Sequence, residues 1–490
     1  MNRFGGKKTK IVATIGPSSN KPEIIRDMIR AGMNVARINF SHGDHETHGR
    51  NIDIIREIAK EEGAVIAILC DIQGPKIRLG MIKNEPIILK VGDEITLTTD
   101  KSADGTDNIV ALPHPEFVKD IKPGTQLLLD DGKLEFMVRS VSGNALHCEA
   151  VVAGEVFSRK GVMATNARLT LSAITEKDTA DVRFALSKGT EYIAMSFVRS
   201  EQDIREMRWL IRHSSGDAQI IAKIEKHEAL ENIQSIIEAS DGIMVARGDL
   251  GLEIPPQEVP YQQKRIIAFC NIAGKPVITA TQMLNSMTDN PRPTRAEASD
   301  VYNAIMDGTD AVMLSNESAA GLYPVIAVQT MHNIATMAEK NLHVSSHSDE
   351  REIYKPQMND RESISDAISQ STVQMADSLG CKAIITSTMT GYTAKRVAKE
   401  RPKTPIICAT PNELTYRRMA LVWGVYPLLT TVFNTIDEML TTVVRTAHEA
   451  KVVSENDLLA IIAGVPFRLG GQTNFIKIHT VGELDELDKE

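Results

Sequence analysis

Eight short apolar runs, each ending abruptly in polar residues, constrain the fold of this 490-residue chain more than any other feature. A helix-like segment follows each run. Strands that alternate with helical patterns are typical of a parallel sheet, and eight such units predict a (β/α)₈ TIM barrel in the α/β class. The runs are residues 10–16, 34–41, 64–71, 192–197, 220–225, 243–249, 276–282 and 311–315.

Two further regions depart from the barrel pattern. Between the third and fourth runs, alternating sequence punctuated by turns predicts an inserted all-β module, and a lid over the barrel mouth is its natural role. Beyond a polar stretch at about residues 342–363, helices alternate with short parallel strands, which predicts a separate α/β domain. We expect a barrel formed by residues 1–74 and 173–341, an inserted β-barrel lid of residues 75–172, and a C-terminal domain of residues 342–490.

The composition excludes several classes of partner. A net charge of −9 argues against a nucleic-acid-binding protein, which would present a basic face. No apolar run approaches the roughly 18–20 residues that a membrane span needs. The five cysteines are scattered and never spaced as C-x-x-C, so we expect free thiols in a reducing compartment. With no signal peptide visible, the sequence predicts a cytoplasmic protein.

The fifth and sixth runs end in charged residues. Lys223 and Glu225 end one run and Asp249 ends the next. In a parallel α/β fold the strand ends open on one face, so these side chains are expected to meet there. Two carboxylates suit Mg²⁺ or Mn²⁺, with the lysine as a fixed cation beside the metal. The alternative is a set of ion pairs at the rim with a polar turn.

Other strand ends are polar as well. Arg37, Asn39 and Ser41 alternate, so they point to one side of the second strand, where they could hold phosphate oxygens and a monovalent cation or form an ordinary interior layer. The remaining polar strand ends and loop residues are Asp71, Lys76, Arg78, Thr281, Ser315 and Glu317. The set contains cationic side chains that can bind phosphate and carboxylates that can bind a metal, but no Cys/His or Ser/His nucleophile pair. This combination favours phosphoryl transfer.

Several motifs carry a family resemblance. NVARINFSHG, DIQGPKIR, KIEKHEALENI, MVARGDLG, ITATQML and PRPTRAEASDVYNAIMDGTDAVMLSNES, with the C-terminal region, resemble pyruvate kinase from about residue 7 to the end. The resemblance implies a glycolytic homotetramer that transfers the phosphoryl group of phosphoenolpyruvate to ADP and protonates the enolate to pyruvate. It also implies allosteric control from the C-terminal domain.

The resemblance assigns roles to matching positions. Glu225 and Asp249 would hold Mg²⁺, Lys223 would neutralise charge on the transferred group, and Arg37 would grip the phosphoryl oxygens. A second Mg²⁺ would travel with ADP. The proton would be relayed by Thr281, water and Ser315. The backbone N–H groups expected to bind the substrate carboxylate are those of Ala246, Gly248 and Asp249. The residues expected to contact the nucleotide are Asn39, His42, Arg78 and Lys160.

Two positions depart from the family pattern. Many members have Glu in place of Lys76 and need K⁺, held by residues matching Asn39, Ser41, Asp71 and the carbonyl of Ile72. The lysine of GPKIR would supply that positive charge and repel a bound K⁺, so activity is predicted not to require K⁺; the alternative is a lysine that points into solvent. Asn316 stands where the family usually has Gly, which concerns only the local loop geometry.

A third candidate site lies in the C-terminal region. STMTGYTAKRVAKERP follows an apolar strand and opens a helix, where hydroxyls and backbone N–H groups favour a phosphate. It aligns with the family's effector loop and places Thr388, Thr390, Gly391 and Thr393 around a phosphate of a sugar-phosphate or nucleotide activator. A second phosphate would need Arg468, and the alternative is a helix that is merely capped.

Two other functions compete with this interpretation. One is a Mg²⁺-dependent barrel lyase that makes a pyruvate enolate without ADP, against which the inserted lid and Arg78 argue. The other is a catalytically inactive regulatory relative that keeps only effector binding. Intact Lys223, Glu225, Asp249 and Thr281 argue against that second alternative.

Overall fold

The eight apolar runs form a closed barrel of parallel strands, as the sequence predicts. The computed structural model describes residues 6–165, 167, 169–342, 353–356, 358–466 and 472–482. The first and eighth strands pair and close the barrel. The barrel strands, numbered here from first to eighth, are Lys10–Thr14, Val35–Asn39, Ala67–Asp71, Tyr192–Met195, Gln219–Ile224, Gly242–Ala246, Val277–Ala280 and Ala311–Leu314.

Helices cover the outer face of the barrel, so its strands are buried on both faces and read as continuous apolar runs. Capping boxes at Thr175, Ser200 and Thr294 fix where three of these helices begin. The barrel helices are Pro22–Ala31, His45–Glu61, Glu176–Ser187, Glu201–His213, His227–Glu231, Ile233–Ala239, Arg247–Glu253, Val259–Ala273, Arg295–Met306, Asn316–Ala319 and Pro324–Lys340.

The inserted β module lies between the third and fourth barrel strands and has its own apolar core. A six-stranded sheet and a two-stranded sheet form it. Alternating burial along Leu134–Ser142 shows the period of two that the sequence displays. The module contains the helix Pro115–Asp120 and the strands Ile87–Leu89, Glu94–Thr98, Ile109–Ala111, Gln126–Leu129, Leu134–Ser142, Ala145–Val152, Gly154–Val156 and Val162–Ala164.

The C-terminal region forms a five-stranded sheet with helices, which confirms the predicted α/β domain. The prediction of parallel strands is wrong for the last strand, Phe475–Thr480, which pairs antiparallel with Leu458–Ala463. The connection between those two strands is shorter than a parallel crossover requires. The other strands are Ala383–Ser387, Ile406–Thr410 and Val425–Leu429, and the helices are Asp360–Leu379, Tyr392–Lys399, Glu413–Arg418 and Ile436–Glu449.

None of the helices in the described part of the chain combines the length and the hydropathy that a membrane crossing requires. Arg468 lies outside the described residues.

Candidate active site

A buried ion cluster lies at the carboxyl ends of the third and fifth barrel strands. The ammonium of Lys223 is 2.9 Å from Glu225 Oε1 and 3.2 Å from Asp71 Oδ1. It also donates to Ser196 Oγ at 2.7 Å, at the end of the fourth strand. Burial alone would lower the pKa of Lys223, but the two carboxylates outweigh it and raise that pKa, so the lysine is a fixed cation.

Arg37 brings a second cation to the same cluster. Its Nε donates to Asp71 Oδ2 at 2.7 Å, and one terminal nitrogen donates to Thr14 Oγ1 at 2.9 Å. Burial would raise the pKa of Asp71, but Lys223 and Arg37 together hold it below its usual value. Asp71 is therefore an ionised carboxylate that orients two cations toward the barrel mouth.

Asp249 lies beside this cluster, in the first turn of the helix Arg247–Glu253. Burial, followed by the negative charge of Glu225, raises the pKa of Asp249 to about 6. Lys223 and Lys76 oppose that shift. Two carboxylates close enough to perturb one another leave a local excess of negative charge that a cation would relieve.

This donor set fits one hard divalent cation. Within the described residues, no three His, Cys, Asp or Glu side chains converge as metal ligands. Mg²⁺ commonly takes only one or two protein carboxylates and completes its shell with water and substrate oxygens. Glu225 holds its position because its second oxygen accepts the N–H of Phe197 at 2.7 Å.

Thr281 lies at the end of the seventh strand in a strained conformation. Its φ of 68° is rare for a β-branched residue. Its Oγ1 accepts the N–H of Gly248 at 2.7 Å, and Arg247 donates to its carbonyl oxygen at 2.7 Å. The surrounding structure therefore holds this strain, which is common at functional sites. The Gly248 N–H expected to bind the substrate carboxylate is already engaged by Thr281.

Ser315 lies in the neighbouring loop after the eighth strand. The buried carboxylate of Glu317 accepts the N–H of Ser315 at 2.7 Å and the N–H of Leu284 at 3.1 Å. Glu317 thus joins the loop of Ser315 to the loop that follows Thr281.

The expected nucleotide residues are divided between the barrel and the inserted β module. Asn39 ends the second strand, and His42 is exposed in the loop that follows it. Arg78 donates to the carbonyl of Arg159 at 3.0 Å, and Lys160 pairs with Asp130 at 2.8 Å. Arg78 and Lys160 therefore lie on adjacent segments of the module, where Arg78 forms a β-bridge with Gly161.

The oxygens expected around a monovalent cation already have donors. Asn39 Oδ1 accepts the N–H of Ser41 at 3.1 Å, and the Ile72 carbonyl accepts the hydroxyl of Ser196 at 2.8 Å. Both Asp71 oxygens are paired with Arg37 and Lys223. Lys76 is exposed and lines the cleft between barrel and module, where its charge acts on Asp249.

That cleft runs between the inserted β module and the barrel. Lys76 and Asp131 line it from the module side, and Asp249 and Leu252 line it from the barrel side. Among the charged residues of the cluster, Asp249 lines this cleft.

The loop before the helix Tyr392–Lys399 carries the residues expected to bind an effector phosphate. Gly391 has a φ of 82° and caps the helix Tyr392–Lys399, and its N–H donates to Thr388 Oγ1 at 3.1 Å. Thr390 is exposed at the loop tip. The hydroxyl of Thr393, however, is buried and lies 3.0 Å from Thr473 Oγ1.

Two residues at the site were missed by the sequence reasoning. Ser196 ends the fourth strand, and the strand-end rule used for the other strands would have found it. Arg247 is visible in MVARGDLG, but only the tertiary structure shows that its guanidinium holds the Thr281 carbonyl and pairs with Asp300 at 2.8 Å.

The fold and the charged cluster define a (β/α)₈-barrel enzyme with an inserted β module and a carboxyl-terminal α/β domain. Comparison with known families is specific: pyruvate kinase, barrel domain, matches residues 6–328, and pyruvate kinase, alpha/beta domain, matches residues 366–479. The chain belongs to the pyruvate kinase family.

Individual relatives agree. The chain is 48% identical over 482 residues to a pyruvate kinase from Geobacillus stearothermophilus, an alignment that covers 98% of this chain and 81% of the relative. It is 44% identical to one from Sporosarcina psychrophila, with the same coverage. A crystal structure of a pyruvate kinase from Cryptosporidium parvum superposes with a TM-score of 0.89 at 36% identity, covering 97% of this chain and 96% of that one.

Proposed function

We propose that this protein transfers the phosphoryl group of phosphoenolpyruvate to ADP, giving ATP and pyruvate. The observation that carries the proposal is the convergence of Arg37, Lys223, Glu225 and Asp249 at the carboxyl end of the barrel. Membership of the pyruvate kinase family indicates this reaction, and the cluster provides the charges that such a transfer needs. Among the described residues, no Cys/His or Ser/His nucleophile pair lies in this cluster, which suits direct transfer between bound substrates.

The two cations have different roles: Arg37 binds the phosphoryl group, and Lys223 neutralises the charge that develops on it. Arg37 can present its remaining N–H groups to phosphoryl oxygens, because Asp71 and Thr14 fix the rest of its guanidinium. Lys223 faces the position where charge develops as the phosphoryl group leaves. A buried, preoriented ammonium stabilises such charge without reorganisation during the reaction.

The proton that converts the enolate to pyruvate is assigned to the Thr281 side of the site. A threonine hydroxyl is too weak an acid to act unaided. We therefore assign Thr281 and Ser315 to a relay through water. The bond from Gly248 N–H to Thr281 Oγ1 fixes the position of that hydroxyl.

Glu225 and Asp249 would hold Mg²⁺ or Mn²⁺. When bound, the ion would act as a Lewis acid that neutralises negative charge on substrate oxygens. The chain's own contribution is the fixed carboxylate pair, kept in place by the Phe197 N–H and by the helix that carries Asp249.

The test is formation of ATP from phosphoenolpyruvate and ADP, measured before and after a chelator removes divalent cations. We expect turnover that disappears with the chelator and returns with Mg²⁺ or Mn²⁺. Pyruvate formation without ADP would instead indicate the barrel lyase, and no turnover with preserved ligand binding would indicate an inactive relative.

We further propose that activity does not require K⁺. Lys76 places a positive charge on the cleft wall near Asp249, and the oxygens that would bind K⁺ already have donors within the protein. Replacing K⁺ with tetramethylammonium should leave the rate nearly unchanged. Lys76→Glu should create a K⁺ requirement, and a large loss of wild-type rate in tetramethylammonium would contradict the proposal.

Allosteric activation and assembly are also proposals. Thr388, Thr390 and Gly391 would bind the phosphate of a phosphorylated sugar or nucleotide, while the burial of Thr393 suits a structural role. A screen of such compounds at low phosphoenolpyruvate, with Thr388→Ala as comparison, would identify the activator. Light scattering would test the expected homotetramer.

A further inference from the structure

The chain returns from the inserted β module to the barrel through residues 175–181, which we call the re-entry segment. Thr175 caps the helix Glu176–Ser187, and both its N–H and its hydroxyl donate to Asp178 Oδ2, at 2.9 and 2.6 Å. The other oxygen of the fully buried Asp178 accepts the N–H of Gly74 at 3.0 Å. Gly74 lies where the chain leaves the barrel for the module. One carboxylate therefore joins both connections of the module.

The same segment holds the loop that follows the second barrel strand. The ammonium of Lys177 donates to the carbonyl oxygen of Phe40 at 2.7 Å and to Asp181 Oδ2 at 2.6 Å. The second oxygen of Asp181 is 2.7 Å from His45 Nε2. Because Phe40 lies between Asn39 and Ser41, Lys177 fixes the backbone that carries the expected nucleotide contacts.

Aromatic packing completes this attachment. The ring of His45 stacks on Phe184 of the helix Glu176–Ser187, with centroids 4.4 Å apart. Phe40 meets both rings edge-on, at 6.0 and 6.1 Å. These ring contacts hold the loop against the helix independently of the Lys177 ammonium. Removal of the ammonium should therefore shift the loop rather than detach it.

We propose that Lys177 is a positioning residue for nucleotide binding, acting through the Phe40 carbonyl on Asn39 and His42. The inference rests on the proposed function, since it assigns ADP to that loop. A charge-assisted hydrogen bond is about twice as strong as a neutral one, so losing it would free the Phe40 carbonyl to turn toward water. Through Asp178, the same segment couples the connections of the β module to the nucleotide loop.

In the competing interpretation, Lys177 forms only an ordinary surface ion pair with Asp181. Such a pair would contribute almost nothing to stability or to nucleotide binding. The chain offers a matched control. Lys188 caps the other end of the same helix and pairs at 2.7 Å with Asp53 of the helix His45–Glu61. Lys188→Met removes an equal charge at the end of the same helix without touching the loop.

The experiment compares Lys177→Met, Lys177→Arg and Lys188→Met with the wild type in ATP formation. ADP is varied at saturating phosphoenolpyruvate, and phosphoenolpyruvate is varied at saturating ADP. In Lys177→Met we expect the KM for ADP to rise about tenfold, since a charge-assisted hydrogen bond contributes about that factor. The KM for phosphoenolpyruvate should stay near the wild-type value, Lys177→Arg should recover most of the ADP affinity, and Lys188→Met should leave both constants unchanged.

Three results would overturn the inference: an unchanged KM for ADP in Lys177→Met, an equal rise in Lys188→Met, or equal rises for both substrates. If the wild type makes no ATP, the proposed function fails on its own. Calorimetric binding of ADP to the same variants then decides the role of Lys177, with equal affinities for the wild type and Lys177→Met refuting it.

Discussion

Removal of the Lys223 charge is the most informative perturbation of the active site. Its ammonium lies within 3.2 Å of oxygens from Asp71, Glu225 and Ser196, and its side chain is only 12% exposed. Lys223→Met preserves the length and apolar stem of the side chain but leaves Glu225 without a cation at 2.9 Å.

The magnitudes follow from these contacts. Breaking a buried ion pair by removing one partner costs about 3–5 kcal/mol of stability. In the variant, Asp71 still pairs with Arg37, and Glu225 still accepts the N–H of Phe197. We therefore expect a loss of stability at the lower end of this range, about 3 kcal/mol. Removing one neutral donor from a charge-stabilising site lowers kcat about 10²–10³-fold, so losing a full charge should lower it by at least about 10³.

The assay measures ATP formation and thermal unfolding of Lys223→Met beside Lys226→Met. Lys226 is the matched control, because it is nearly as buried at 15% exposure and pairs with the buried carboxylate of Glu253. Both variants should lose stability, but only Lys223→Met should lower kcat by at least about 10³. Lys223→Met should largely retain the binding of Mn²⁺. Wild-type turnover in Lys223→Met, or an equal loss in Lys226→Met, would falsify the role assigned to Lys223.

Three further predictions concern other parts of the molecule. Thr281→Ala should slow proton exchange at the methyl group of pyruvate by about 10²-fold, whereas exchange at the wild-type rate would exclude Thr281 from the relay. Glu191→Gln should lower stability by about 3 kcal/mol, because this fully buried carboxylate accepts from Arg56 at 2.7 Å and Arg417 at 2.6 Å; an unchanged unfolding midpoint would contradict this. Burial would raise the pKa of Asp241, but Arg208 and the Ile220 N–H hold it below its usual value, so its stabilisation is present above about pH 4 and is lost as the pH falls through the folded-state pKa. Asp241→Asn should therefore be less stable than the wild type at neutral pH and converge with it in acid, and a constant difference between the two would refute the assignment.

The barrel was predictable because its signal is local. Runs such as Lys10–Thr14 are buried over their whole length, and buried parallel strands read as unbroken apolar segments. The last strand was misjudged because strand direction depends on the length of the connection and on pairing with Leu458–Ala463, neither of which appears in the composition of Phe475–Thr480.

The candidate site was predictable where residue type alone carried the chemistry. Lys223, Glu225 and Asp249 are charged residues at the ends of apolar runs, and a parallel barrel brings such positions to one face. The sequence did not reveal that the Gly248 N–H is engaged by Thr281 or that the hydroxyl of Thr393 is buried against Thr473. Hydrogen-bond partners between distant segments are settled by packing, which sequence spacing does not encode.

The sequence by itself determined the strand-and-helix alternation, the charged strand ends and the family motifs, because these depend on periodicity and residue chemistry along the chain. Only the tertiary structure decided that Asp71 orients both Arg37 and Lys223, and that residues 175–181 join the connections of the β module to the loop of Phe40. Both arrangements link residues more than 30 positions apart in the chain, and such contacts exist only once the barrel has closed.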